Sequence, residues 1–318
     1  MTVRIDLATV GHILNEVVKY PEKTIGPVLG GPAAYTAVAS ARLKVKTGIV
    51  TKIGEDVPRT LLEPFYEAGV DVRGLKIEGE NTTTNYLIYD NRGDKTLVYL
   101  KKAPRIRFED VPEDYLKSKF IHVCPLDFEV PIETLMSLKE AGLRLSVDLG
   151  GYGGATSIRH PSRDEEAKKF FEEAIKYFEI VRASLEDCRH IFGDRRDLPK
   201  HAVRFFVDKG ADIGLVTLGE EGAILLTRKG DFYKIPGFKS KIVDVTGAGD
   251  VFCAGFLSEY LRTEDPLKSV IFGCAAASLL TEKTGGVLAS RMPTLDEVRR
   301  RISATSKLKE LFTSLHNL

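Results

Sequence analysis

The chain is 318 residues long, 43% apolar and 29% charged, with a formal net charge of +1. It can bury its own core and carries no global field that would draw it onto nucleic acid. No run reaches the ~18 apolar residues of a membrane span, and the four cysteines (Cys124, Cys188, Cys253, Cys274) show neither a CxxC pair nor metal-site spacing, so buried free thiols in a cytoplasmic protein are expected.

In chain order, the opening MTVRIDLATVGHIL reads as a first strand and not as a signal segment. Residues 13–28 are poor in apolar side chains and bounded by Pro21 and Pro27, which predicts an exposed strand pair. A helix is expected over 33–43, with Pro32 suited to its first turn. A strand over 45–53 and a helix over 57–68 follow. Residues 83–101 break the rhythm, because they alternate apolar and polar on both sides of Asp90-Asn91-Arg92-Gly93-Asp94, a hairpin pattern. Strands over 120–124, 143–148, 180–183 and 213–218 then alternate with helices over 131–141, 163–178 and 199–209. Residues 241–245 look strand-like, a helix follows residue 250, and helical spacing returns over 295–315. This alternation predicts an α/β protein with a mostly parallel sheet covered on both faces. Residues 1–318 form one domain in this reading, with 13–28 and 83–103 as a small projecting β-sheet.

The strongest local signal is Asp244-Val245-Thr246-Gly247-Ala248-Gly249-Asp250. Small residues at a helix N-terminus let a ligand approach unpaired backbone amides, and those amides with the helix dipole favour an anion. Asp250 in the first turn fits ordinary helix capping, worth about 0.3–1 kcal/mol. A carboxylate beside an anion site also fits a base that accepts a proton from an attacking hydroxyl. Asp244 suits either a turn at the strand end or a cation held near phosphates. A second cluster, Gly30-Gly31-Pro32-Ala33-Ala34-Tyr35, is either a tight connection or a substrate floor; it is not a P-loop, and no GxGxxG is present there.

The Gly247-to-Asp250 segment resembles the C-terminal signature of the PfkB, or ribokinase-like, carbohydrate kinases, and Gly30-Gly31 resembles their N-terminal one. Gly54 in Lys52-Ile53-Gly54-Glu55-Asp56 and the run Val216-Thr217-Leu218-Gly219-Glu220-Glu221-Gly222 are similar to further family segments, and the resemblance spans residues 3–302. It implies a three-layer α/β/α sandwich with a β lid that often makes a homodimer contact. It also implies ATP and Mg²⁺ as cofactors and a small sugar or polyol as acceptor. On this resemblance Asp250 is the base and Gly247, Ala248 and Gly249 form the anion hole. Thr217, Gly219 and Gly222 lie near ATP. Asp187 serves Mg²⁺ through water, and Asp244 and Thr246 hold a monovalent cation such as K⁺ in members that use one.

The sequence departs from the family pattern at Tyr35 (usually Asn), Lys44 (usually Gly), Asn15 (commonly an Asp that holds sugar hydroxyls) and Ser184-Leu185-Glu186-Asp187 (usually Asn-x-x-Glu). An aromatic after Gly-Gly-x-Ala is similar to the branch containing myo-inositol kinases. Asn15, Gly30, Gly31 and Tyr35 are therefore the expected acceptor contacts. A nucleoside kinase with a base stacked on Tyr35 is the alternative enzyme, and a non-catalytic sugar or nucleotide sensor is the alternative outside enzymes.

Overall fold

A computed structural model describes residues 4–91 and 95–305 of the chain. The hairpin turn expected at Arg92-Gly93-Asp94 and the end of the closing helical stretch, 306–315, fall outside the described residues.

Nine strands form the main sheet: β1 (Leu7–Val10), β4 (Thr47–Ile53), β5 (Asp71–Ile77), β8 (Phe120–Val123), β9 (Leu145–Asp148), β10 (Ile180–Ser184), β11 (Ile213–Thr217), β12 (Ala223–Thr227) and β13 (Phe232–Ile235). Their order is β13-β12-β11-β10-β9-β8-β1-β4-β5, parallel throughout except for β12 and β13 at one edge. Continuous apolar runs, such as the fully buried β4, are what a sheet covered on both faces requires.

One face packs against α1 (Pro32–Arg42), α2 (Glu63–Ala68), α7 (Ala248–Thr263), α8 (Pro266–Leu280) and α9 (Leu295–Ser303). The other packs against α3 (Ile132–Glu140), α4 (Glu165–Ala174), α5 (Leu185–Phe192) and α6 (Leu198–Asp208). The result is the expected three-layer α/β/α sandwich. All four cysteines are free and buried. Among the described residues, no helix is long and apolar enough to cross a membrane.

A second sheet, order β3-β2-β6-β7, is built from β2 (Leu14–Lys19), β3 (Thr24–Gly30), β6 (Thr84–Tyr89) and β7 (Lys95–Lys101). Its inner face reaches the main body. The Tyr89 hydroxyl lies 3.3 Å from that of Thr246, and Tyr99 donates to the Thr156 carbonyl at 2.9 Å.

Strand order reverses at β1, which has β4 on one side and β8 on the other. In open α/β sheets ligands settle in the crevice at the carboxyl ends of strands beside such a reversal. The segments singled out by sequence converge there.

Candidate active site

The segment before the glycine-aspartate run is not a strand. The amides of Val243 and Asp244 both donate to the Thr281 carbonyl instead of to a neighbouring strand, and Ile242, Val243 and Val245 are about half exposed. The alternation of apolar residues there marks an extended connection, not a ladder. Gly247 follows with φ 82°, a left-handed conformation that only glycine adopts without strain. A Cβ on it would sit 2.4 Å from the Tyr35 ring.

Helix α7 begins at Ala248. Among the described residues, the amides of Gly247, Gly249 and Asp250 have no acceptor, whereas that of Ala248 donates to the Val245 carbonyl at 3.1 Å. The three free amides are therefore those of Gly247, Gly249 and Asp250, and Ala248 contributes only its small size. Asp250 lies in the first turn of α7, where its charge suits the helix dipole, but its carboxylate makes no hydrogen bond among the described residues. Only its carbonyl is engaged, by the Thr36 hydroxyl at 3.3 Å. Its carboxylate is left for other work.

Beneath this turn lies a group that sequence reasoning missed. Arg182, near the end of β10, is 7% exposed and pairs with Asp148 at the end of β9 at 2.5 Å. It also donates to the Thr217 hydroxyl at 2.5 Å. A Cβ added to Gly249 would lie 2.8 Å from Arg182 Nη2, so the guanidinium presses against the α7 N-terminus where only a glycine leaves room. Burial pushes the Asp250 carboxyl well above its ordinary range, Asp148 pushes it further, and Arg182 opposes them. Asp148 is pushed up by burial too. It holds the guanidinium and the Gly150 amide, however, whereas the Asp250 carboxylate makes no such bond. A base with a raised pKa is suited to taking a proton near neutral pH. The only sequence signal for Arg182 was a charged residue inside an otherwise apolar strand.

At the segment where an acceptor contact is expected, Glu16 and not its neighbour Asn15 faces the cleft. Strand β2 alternates, with Leu14, Glu16 and Val18 buried and Asn15, Val17 and Lys19 on the opposite face. A cleft is lined by Glu16, Tyr20, Tyr35, Asp244, Thr246 and Gly285 with apolar residues of the small sheet, and Asn15 is not among them. The Asn15 Oδ1 is buried without a partner. Glu16 accepts one hydrogen bond from Asn85 at 3.0 Å, and burial raises its pKa. Both glycines of the second cluster abut protein. A Cβ on Gly30 would meet Glu16 Oε2 at 3.0 Å, and one on Gly31 would meet the His12 carbonyl at 2.9 Å. Tyr35 is 2% exposed, with its ring against Gly247 and its hydroxyl accepting from Arg291 at 3.1 Å. It shapes the cleft wall but offers no open face for stacking.

On the nucleotide side, Thr217 ends β11 and Gly219 (φ 61°) opens onto free space. Gly222 does not, because a Cβ there would lie 2.1 Å from the Ile235 carbonyl; its role is to let β13 approach. Asp187 closes the capping box of α5, accepting from the Ser184 amide and hydroxyl at 2.6 Å and from the Ala155 amide at 2.8 Å. Among the described residues, no group of three or more His, Cys, Asp or Glu side chains could hold a metal on its own. A site for Mg²⁺ that arrives with phosphates needs only one or two carboxylates, so Asp148 and Asp187 fit such an ion. The oxygens of Asp244 and Thr246 do not fit a free monovalent cation, because Arg291 already fills their midst: it pairs with the Asp244 carboxylate at 3.2 Å and donates to the Thr246 carbonyl at 3.0 Å.

Free amides at a helix N-terminus, a carboxylate without a hydrogen bond among them, and a buried cation beneath have the chemistry to receive a phosphoryl group. Comparison with known proteins shows the family. Residues 3–294 match the family described as pfkB family carbohydrate kinase, and the chain belongs to that family. It is thus a phosphotransferase with a hydroxyl acceptor. A cytidine kinase of Thermococcus kodakarensis is 31% identical over 288 residues, covering 88% of this chain and 98% of that protein. A ribokinase of Staphylococcus aureus is 27% identical over 281 residues, covering 85% and 87%. A ribokinase II-type protein from E. coli, solved in complex with ATP and Mg²⁺, shares the fold with a TM-score of 0.78 at 20% identity, covering 95% of this chain and 100% of that one.

Proposed function

We propose that this chain transfers the γ-phosphoryl group of Mg-ATP to a hydroxyl of a small sugar or polyol, with Asp250 as the general base. The observation that carries the reading is the Asp250 carboxylate, which makes no hydrogen bond among the described residues and stands beside three unpaired amides with Arg182 beneath them. Asp250 accepts the hydroxyl proton as the oxygen attacks. The amides of Gly247, Gly249 and Asp250 stabilise charge growing on the phosphoryl oxygens. Mg²⁺, when bound with the nucleotide, would offset the charge of its phosphates, and Asp148 and Asp187 are the carboxylates that would hold it, Asp187 through water. Thr217 and Gly219 would flank the nucleotide. Glu16, held by Asn85, is the polar group that meets acceptor hydroxyls. The small sheet acts as a lid and excludes water, drawn down through Tyr89 and Tyr99. Its outer face carries the exposed Val98 and Leu100, which suit a second copy of the chain.

The test is ADP release from Mg-ATP against inositols, hexoses, pentoses, phosphosugars and nucleosides. A strong signal with one sugar or polyol is expected. Asp250→Asn should then lose roughly 10²–10⁴-fold in kcat while still binding ATP; unchanged turnover removes Asp250 from the mechanism. A nucleoside acceptor is the second reading, favoured by the 31% identity to a cytidine kinase and by the stacked Tyr20–Tyr89 pair at the cleft, with ring centroids 5.0 Å apart. Signal confined to nucleosides would replace the acceptor and keep the base.

A further inference from the structure

The side chain of Arg291, in the turn between α8 and α9, is 1% exposed and sits in a cage of oxygens. Its Nε donates to the Lys283 carbonyl at 3.1 Å, and its Nη1 to the Tyr35 hydroxyl at 3.1 Å and to the carbonyls of Gly285 and Gly286. Its Nη2 donates to the carbonyls of Asp244 at 3.3 Å and Thr246 at 3.0 Å, and pairs with the Asp244 carboxylate at 3.2 Å. One carboxylate and several neutral carbonyls pointing at one spot are the coordination chemistry of a hard monovalent cation. Here a single fixed positive charge balances the single carboxylate.

The cage is coupled to the anion hole through one peptide bond. In a planar trans peptide the C=O and the following N–H point in opposite directions. Holding the Thr246 carbonyl on Arg291 therefore turns the Gly247 N–H away from the cage, toward the side where the free amides gather. Tyr35 carries the same constraint to the acceptor side, because Arg291 holds its hydroxyl while its ring packs on Gly247.

We propose that Arg291 is a tethered cation, a positioning residue that orients the anion-hole loop in place of a dissociable monovalent ion, so that the enzyme works without K⁺. The proposal rests on the kinase reading for its effect on turnover, but not for the cage itself. A variant lacking the charge should acquire a need for a small monovalent cation, because the Asp244 carboxylate and the carbonyls would be left uncompensated.

The experiment uses the full chain and two readouts, turnover with the best acceptor and melting temperature. Each is measured in potassium chloride and in choline chloride at equal ionic strength. For the natural protein both should agree between the two salts, with turnover within twofold. Arg291→Met should lose at least tenfold in turnover in choline chloride and regain most of it with K⁺, ammonium or guanidinium, and its melting temperature should rise with the same ions. Several-fold stimulation of the natural protein by K⁺ overturns the proposal, and that arm needs no variant to fold. So does an Arg291→Met protein that folds yet answers to none of the three ions in either readout. If no acceptor gives turnover, the kinase reading fails, while the melting comparison still decides for or against the tethered cation.

Discussion

Arg182 and Asp148 act on Asp250 with opposite sign, and that makes their roles separable. Arg182 holds the Asp250 carboxyl down and Asp148 drives it up. If Asp250 must be ionised to accept a proton, the acid limb of the pH–rate profile reports its pKa in the free enzyme. Arg182→Met should therefore move that limb to higher pH and lower turnover at neutral pH by at least tenfold. Asp148→Asn should move it to lower pH. Shifts in the same direction would show that the two charges do not set the base. Arg182→Met also strands a buried carboxylate, so a stability loss of about 3–5 kcal/mol is expected and the assay belongs well below the melting temperature. At this scale the sequence was only partly legible. Asp250 stood out because its neighbours are glycines. Arg182 did not, because nothing in a strand sequence says which charge faces a ligand and which its own partner. Asn15 against Glu16 was a question of parity: the core positions Leu14 and Val18 put Glu16, not Asn15, on the cleft face.

Among the elements, the long periodic helices and the central strands fall where their patterns place them, because burial on both faces leaves long uniform signals. The extended stretch at 241–245 shows the limit, since alternating apolar residues look alike in a strand and in a chain that pairs with one carbonyl of a helix end. One departure from the family pattern proves to be a backbone matter. Lys44, where the family usually has glycine, follows α1 with φ 67° on an exposed turn. Left-handed backbone costs an L-residue about 1–2 kcal/mol, part of which glycine gives back in unfolded-chain entropy. Lys44→Gly should therefore raise stability by up to about 1 kcal/mol in a urea titration and leave turnover unchanged. A loss of stability would mean that the Lys44 side chain makes contacts that outweigh its backbone strain.

For the whole molecule, functional and structural carboxylates pull in opposite directions with pH. Asp110 is buried beside Lys52 at 3.0 Å and Lys76 at 3.0 Å and accepts from the Arg107 amide; burial pushes its pKa up, but these partners outweigh it and the net shift is downward. Asp56 and Asp71 are lowered likewise, against burial, by Lys101 with Thr82 and by Arg73 with Tyr115. A carboxylate whose folded pKa lies below its ordinary value of 3.8 contributes stability that is complete above that value and is lost as pH falls through the folded one. Glu16, Asp148 and Asp250 are raised instead, chiefly by burial, so the folded chain takes up their protons first and gains stability as pH falls from neutrality toward the ordinary carboxylate range. Burial lowers the pKa of His122, His190 and His201, which cost stability as pH falls below their ordinary 6.5. The raised carboxylates should therefore add a rise in melting temperature on mild acidification, superimposed on that histidine loss, with a collapse below pH 4. Asp250→Asn removes one of the raised groups and should flatten the rise while leaving the collapse below pH 4 in place. A variant that is more stable than the natural protein at neutral pH but no longer turns over would tie the stability cost to the proposed base, as expected if a catalytic charge is held where folding alone would not put it. A rise that survives Asp250→Asn unchanged would assign it to Glu16 and Asp148 alone.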